Sequence, residues 1–259
     1  MASPSRSKKS LNDHILHLSR VVSSPPGLDA LLASICYTSL LLHSQSDTRS
    51  ARPSRLKALY ELAEDHRIFT RLFGLLGLYT TARETYAKQH RDPAIKLLLW
   101  AALATGSGFQ LLENVAFLVQ KGVITRPGLR WKEGSYWKLS NRFWLAQLSL
   151  NLVRLVRVRQ RHFNEDFGAE KVGDENGSFV GNVPAINKTV SKASEAVGVQ
   201  TVVLEKKWWR ELYTTLAWVP CAVHWSFDEH RSPVSQTLFA GSGMVAGFLG
   251  LKDAWEDAA

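Results

Sequence analysis

The stretch TLFAGSGMVAGFLGL, Thr237 to Leu251, decides the fold, because it carries no charge and sets a glycine or alanine at almost every helical turn. Gly241-Ser-Gly243-Met-Val-Ala246 within it matches the G-x-G-x-x-A turn whose glycines let backbone amides approach a pyrophosphate. That turn must join a strand to a helix in a unit of roughly 30 residues, with an acid about 20 residues further on. Only 13 residues follow Ala246, too few for the second strand. A buried helix of a soluble bundle is a second reading, but each interior glycine costs about 1 kcal/mol relative to alanine and needs a compensating contact. A membrane span supplies one. Ser232 to Leu251 is 20 residues without a charge, the length that crosses a hydrocarbon layer of roughly 30 Å. Gly243/Gly247 and Ala246/Gly250 are spaced four apart, so a second helix backbone can come close in lipid. Lys252, snorkelling, and Trp255, at head-group depth, then mark the interface of a span near 233–251.

Moving toward the amino terminus, Thr201 to Phe227 reads as a helix that Pro220 should kink, and Pro233 as the first-turn proline of the closing run. Residues 164–200 are rich in Gly, Asn, Ser, Glu and Lys, lack helical period and read as a flexible linker. Tyr136 to Phe163 predicts a long helix with Arg154, Arg157 and Arg161 on one side and Leu145, Leu148, Leu152 and Val156 on the other. Such a charge run is most commonly a solvated helix face, and as a second reading its basic face suits an anionic membrane surface. Leu97 to Val119 is 23 residues with Glu113 as its one charge, again of spanning length. A carboxylate in lipid is costly unless it faces water or a partner. Glu113 therefore either lines a pore, lies near a surface, or pairs with an arginine.

From Arg55 onward, Leu56, Leu59, Tyr60 and Ala63 share one helical face, opposite Lys57, Glu61, Glu64 and Asp65. Past Arg67 the apolar surface widens through Ile68, Phe69, Leu72, Phe73, Leu75, Leu76 and Tyr79, leaving Arg67, Arg71, Gly74 and Gly77 as a narrow stripe. An amphipathic helix of this kind lies in one leaflet and wedges head groups apart. The insertion residues expected are Leu56, Leu59, Tyr60, Ile68, Phe69, Leu72 and Phe73. Leu28 to His43 and Leu11 to Val22 predict two more helices, separated by Pro25-Pro26-Gly27, with a polar linker over 44–54.

Composition narrows the partners. Lysine and arginine number 32 against 23 acids, giving +9, which favours anionic surfaces. Nine tryptophans tilt the choice toward the boundary between an apolar phase and water. Nucleic acid is disfavoured, because the face accompanying the arginines is aliphatic and offers no stacking rings. Cys36 and Cys221 lie in apolar runs without a sign of bridging, as in a reducing compartment. His224, Asp228, Glu229 and His230 are the densest set of metal-ligand types, but positions 224 and 230 lie about 120° from alignment on a helix. No spacing pairs a nucleophile with a base. The expectation is a non-enzymatic protein with no cofactor, no metal and no catalytic residue.

Several stretches together resemble the peroxin-eleven family of peroxisomal membrane proteins, with a layout similar to its gamma-like, fungal branch. They are Gly27-Leu-Asp-Ala-Leu-Leu32 with Cys36-Tyr-Thr-Ser39, Arg67-Ile-Phe-Thr-Arg-Leu-Phe73, Leu112-Glu-Asn-Val-Ala-Phe117 through Gly122, Ser140-Asn-Arg-Phe-Trp144, and the closing glycine run with Trp255. The resemblance implies a protein of the peroxisomal membrane with both termini facing the cytosol. It further implies self-association and links to other family members and to the organelle fission machinery. The function expected is elongation and fission of the organelle, regulating its size and number; a small-metabolite channel and a soluble helical adaptor are the alternatives. The organisation expected is all-α: a polar segment over 1–26, a membrane-associated helical region over 27–163 with amphipathic surface helices, the linker over 164–200, and a C-terminal helical hairpin over 201–259. The glycine-rich run, through Gly243, Ala246, Gly247 and Gly250, is expected to pack helices together.

Overall fold

The computed structural model describes residues 11–46, 52–88, 92–125, 132–174, 184–228 and 231–258, with side chains described except at 52 and 162–203. Among them are eight α-helices and no strand: α1 Leu11–Ser23, α2 Pro25–Ser44, α3 Arg52–Arg71, α4 Gly74–Ala87, α5 Pro93–Gln120, α6 Glu133–Asp174, α7 Pro184–Trp225 and α8 Gln236–Asp257.

Local chemistry sets the helix ends. Ser24 caps α2 by accepting from the Gly27 amide at 3.2 Å, and Pro25 and Pro26 fill the first positions, where no amide is needed. The prolines that the sequence presents as a breaker are therefore the opening of α2, and one residue separates it from α1. Asp92 caps α5 through the Ala94 amide at 2.9 Å. Gly122, at φ +75°, ends α5, with the Val123 amide donating to the Leu118 carbonyl and the Gly122 amide to Val119. Ser235 caps α8 through Leu238 at 3.3 Å, so Pro233 lies ahead of the helix and not in its first turn. α7 continues through Pro220. α6 and α7 also extend into the range that composition assigns to a linker, as far as Asp174 and from Pro184. Local polarity had masked a helical backbone there.

Six helices form a closed circuit of antiparallel neighbours, α3–α2–α8–α7–α6–α5 and back to α3. The register of each seam is given by its contacts. Gly243 lies against Tyr37, and Gly250 against Ala30, for α2/α8. Cys221 donates to the Phe239 carbonyl for α7/α8, and Trp208 Nε1 to the Leu155 carbonyl at 2.8 Å for α6/α7. Gly106 meets Gln147 and Gly108 meets Phe143 for α5/α6. The central core joins Ala33, Cys36, Tyr37, Leu40, Ala63, Cys221, Phe239 and Ala240. Cys36 and Cys221 are both buried and free. α1 closes over one end, where His17 Nε2 is 2.9 Å from the Trp255 carbonyl.

Candidate functional site

The side chains of α3 sort by angle. Taking Leu59 as origin and about 100° per residue, Leu62, His66 and Phe69 fall within an arc of about 80°. All four are exposed, with Leu59 at 43%, Leu62 at 69% and Phe69 at 54%, and Phe73, in the turn that follows α3, is exposed at 66%. Leu76 and Tyr79 carry the exposed stripe into α4. Tyr60, Ala63, Glu64, Arg67, Ile68 and Arg71 occupy the other side, which faces α2 and α5. Of the expected insertion residues, Leu59, Phe69 and Phe73 point outward, Leu56 and Leu72 are half-buried, and Tyr60 and Ile68 turn to the interior. Tyr60 and Ile68 are corrected on that ground: they pack inside the chain. Leu62, Leu76 and Tyr79 belong to the outward stripe instead, and the spacing 59, 62, 66, 69, 73, 76 was the signal for them.

What turns inward on α3 is a pair of guanidinium groups. Arg67 forms a bidentate pair with Asp29 of α2, Nε to Oδ1 at 2.9 Å and Nη2 to Oδ2 at 3.2 Å. Arg71 forms another with Glu113 of α5, Nε to Oε2 at 2.9 Å and Nη2 to Oε1 at 2.7 Å. The Arg67 and Glu113 side chains are 7% and 5% exposed, so each charge is desolvated and depends on its partner. Of the three roles open to Glu113, pairing with an arginine is the one found. The Arg67 guanidinium also lies 5.7 Å from the ring centroids of both Tyr37 and Trp218.

The helix breaks at Leu72-Phe73, which frees carbonyls that α3 would otherwise bond internally. Gln110 Nε2 of α5 donates to the Arg71 carbonyl at 2.7 Å, and Asn114 Nδ2 to the Leu72 carbonyl at 3.2 Å. Gln110 Nε2 also bonds Asn114 Oδ1 at 2.8 Å. A β-carbon at Gly74 would stand 2.5 Å from Gln110 Oε1, so α4 can begin only where no side chain intervenes. The polar residues of an otherwise apolar helix thus dock the α3–α4 elbow.

The arginines of α6 are also engaged. Arg154 pairs with Glu211 of α7, Arg157 Nε with Asp92 Oδ2 at 3.0 Å, and Arg161 Nη1 with the same oxygen at 3.7 Å. The stripe expected to face anionic lipid therefore meets carboxylates of its own chain, joining α6 to α7 and to the cap of α5. Among the metal-ligand types, His224 Nδ1 is 3.0 Å from Ser232 Oγ while its ring stacks on Phe239 at 4.3 Å, and Asp228 accepts from Lys138 at 2.8 Å. Glu229 and His230 lie outside the described residues.

The glycine face of α8 lies on α2. Gly243, Ala246 and Gly247 are buried and Gly250 half-buried. A β-carbon at Gly247 would stand 2.7 Å from the Ser34 amide nitrogen and 3.0 Å from the Ala33 carbonyl carbon. Close backbone approach is thus realised within one chain, and α2 supplies small residues to match. By length and composition α2 and α5 can cross a membrane, whereas α8 does not meet that test. Its helix begins at Gln236, so its charge-free part ends after 16 residues at Leu251, about 24 Å at 1.5 Å per residue.

A sequence profile of the family described as Peroxisomal biogenesis factor 11 (PEX11) matches residues 15–255, nearly the whole chain. Neither a curated protein nor a solved structure matches. The match runs from within α1 to within α8 and takes in the Arg67–Asp29 and Arg71–Glu113 pairs, the elbow and the glycine seam, and by it the chain belongs to the PEX11 family, a family of peroxisome biogenesis factors known for peroxisome proliferation and not of enzymes.

Proposed function

We propose that this chain remodels the peroxisomal membrane, promoting elongation and fission, by laying the outer stripe of α3 and α4 into the cytosolic leaflet. The carrying observation is the distribution of side chains on α3 and the turn after it: two arginines pair inside the protein, while Leu59, Leu62, Phe69 and Phe73 are 43%, 69%, 54% and 66% exposed. Burying a large apolar side chain is worth about 1.5–3 kcal/mol, so four partly covered ones offer on the order of 5 kcal/mol to an acyl phase. The elbow held by Gln110 and Asn114 lets the stripe run on through Leu76 and Tyr79. A rigid shallow wedge of this kind expands one leaflet and favours curvature. In this reading both termini face the cytosol, and further copies, other family members and the fission machinery concentrate wedges at one place. Self-association uses surfaces other than the glycine face of α8, which α2 occupies.

The test is the full chain with Phe69→Asp and Phe73→Asp, reconstituted with liposomes of acidic lipid. The wild type should draw tubules from them, and the double variant should keep its helicity while tubulation falls at least tenfold, since two charges in the acyl layer offset most of the insertion energy. Undiminished tubulation by a folded double variant contradicts the wedge.

A further inference from the structure

The helical circuit encloses a half-open cavity of about 1140 Å³, reached by α2, α3, α5, α6, α7 and α8. That is slightly larger than the usual small-molecule site, which runs about 300–1,000 Å³. One wall is a connected run of rings. Phe109 and Trp144 are 5.8 Å apart between centroids, Trp144 and Trp218 5.7 Å, Trp218 and Tyr37 5.7 Å, Tyr37 and Phe239 5.7 Å, and Phe239 and Trp225 5.3 Å. Arg67 already shows that this wall accepts a cation, over Tyr37 and Trp218. Trp144 and Trp225 line the same cavity, with no cation over either among the described residues.

The charges around the cavity are nearly all answered. Asp29 meets Arg67, Glu113 meets Arg71, Asp65 meets Lys121 and Asp228 meets Lys138. Glu64 differs. It lines the cavity beside Tyr60 and, among the described residues, has no ion-pair partner. Burial holds its carboxyl above the usual value, against the opposing effects of the Tyr60 hydroxyl and of Arg67 and Arg71. At the rim stands Lys57, 61% exposed and only 3.7 Å from an equally exposed Glu61, a loose pair that another anion can replace.

A carboxylate outside the direct ion pairs that the described residues form around the cavity, aromatic faces inside and a cation at the mouth are complementary to a zwitterion that enters positive end first. A bulky, weakly hydrated ammonium suits rings best. We propose that the cavity binds the head group of a choline phospholipid, with the trimethylammonium among the rings and answered by Glu64, the phosphate at Lys57, and the acyl chains outside. This rests on the cavity alone and stands or falls apart from the remodelling reading.

The full chain in a maltoside detergent is titrated with dihexanoyl phosphatidylcholine, dihexanoyl phosphatidylglycerol, free phosphocholine and tetramethylammonium, following tryptophan fluorescence. The choline lipid should saturate and the glycerol lipid should not, with free phosphocholine binding more weakly than the lipid. Glu64→Gln, at unchanged helicity, should weaken the choline lipid and tetramethylammonium alike, by about tenfold. Lys57→Ala is a surface change and keeps the test open if the first variant misfolds. It should weaken the choline lipid about threefold and leave tetramethylammonium unchanged. Equal binding of the two lipids, equal affinity for free phosphocholine, or a folded Glu64→Gln with wild-type affinity would each overturn the assignment.

Discussion

Two seams of the helical circuit solve the same problem by opposite means. At α2/α8 the helices meet through glycine, alanine and serine, close enough that a β-carbon at Gly247 would touch the backbone of Ala33 and Ser34. At α3/α5 they meet through Arg71 with Glu113, Lys121 with Asp65 and Gln110 with the Arg71 carbonyl. The first seam depends on shape and tolerates no added volume. The second depends on paired charge, and its desolvated member, Glu113, can be exchanged only together with Arg71. The difference matters for function because the charged seam holds the helix whose other face carries the exposed Leu59, Leu62 and Phe69.

The largest expected effect is at the small-residue seam. Gly247→Leu leaves its side chain no space except by parting α2 from α8, and should destabilise by about 3 kcal/mol or prevent folding. Denaturant unfolding of the purified chain in detergent measures this, and a loss below about 1 kcal/mol would erase the contrast between the seams. At the charged seam, Glu113→Leu strands Arg71 and should cost about 2–3 kcal/mol, while Glu113→Leu with Arg71→Met should recover most of the loss. A double-mutant cycle reads that coupling directly; additive losses would mean the pair is incidental. The smallest effect is expected for Asn114→Leu, which frees the Leu72 carbonyl at the elbow and should cost about 1 kcal/mol. Hydrogen exchange should then quicken at the start of α4 before it does elsewhere.

The sequence made the helices legible wherever periodicity or caps were strong. Leu11 to Val22 and Leu97 to Val119 lie within α1 and α5, and the family could be recognised from short stretches such as Leu112-Glu-Asn-Val-Ala-Phe117. The packing use of Gly243, Gly247 and Gly250 could be read from their spacing, but the partner could not, because Ala30, Ala33 and Ser34 are some 200 positions away. The orientation of α3 was hidden for the same reason. Its arginines find Asp29 and Glu113 at separations of 38 and 42 residues, and no local window contains either pair. With those partners unseen, Tyr60 and Ile68 counted as apolar surface, although both face the interior. The carboxylates that meet Arg154, Arg157 and Arg161 were equally distant, so a basic stripe looked available when it was engaged.

The outward face of α3 is the central claim, and spin labels placed singly on the full chain in liposomes test it most directly. Labels at positions 69 and 73 should be reached readily by oxygen, which concentrates in acyl chains, and poorly by a water-soluble nickel chelate. A label at position 61, where the native glutamate is 60% exposed, should show the reverse. Equal, water-like accessibility at all three positions would contradict the account.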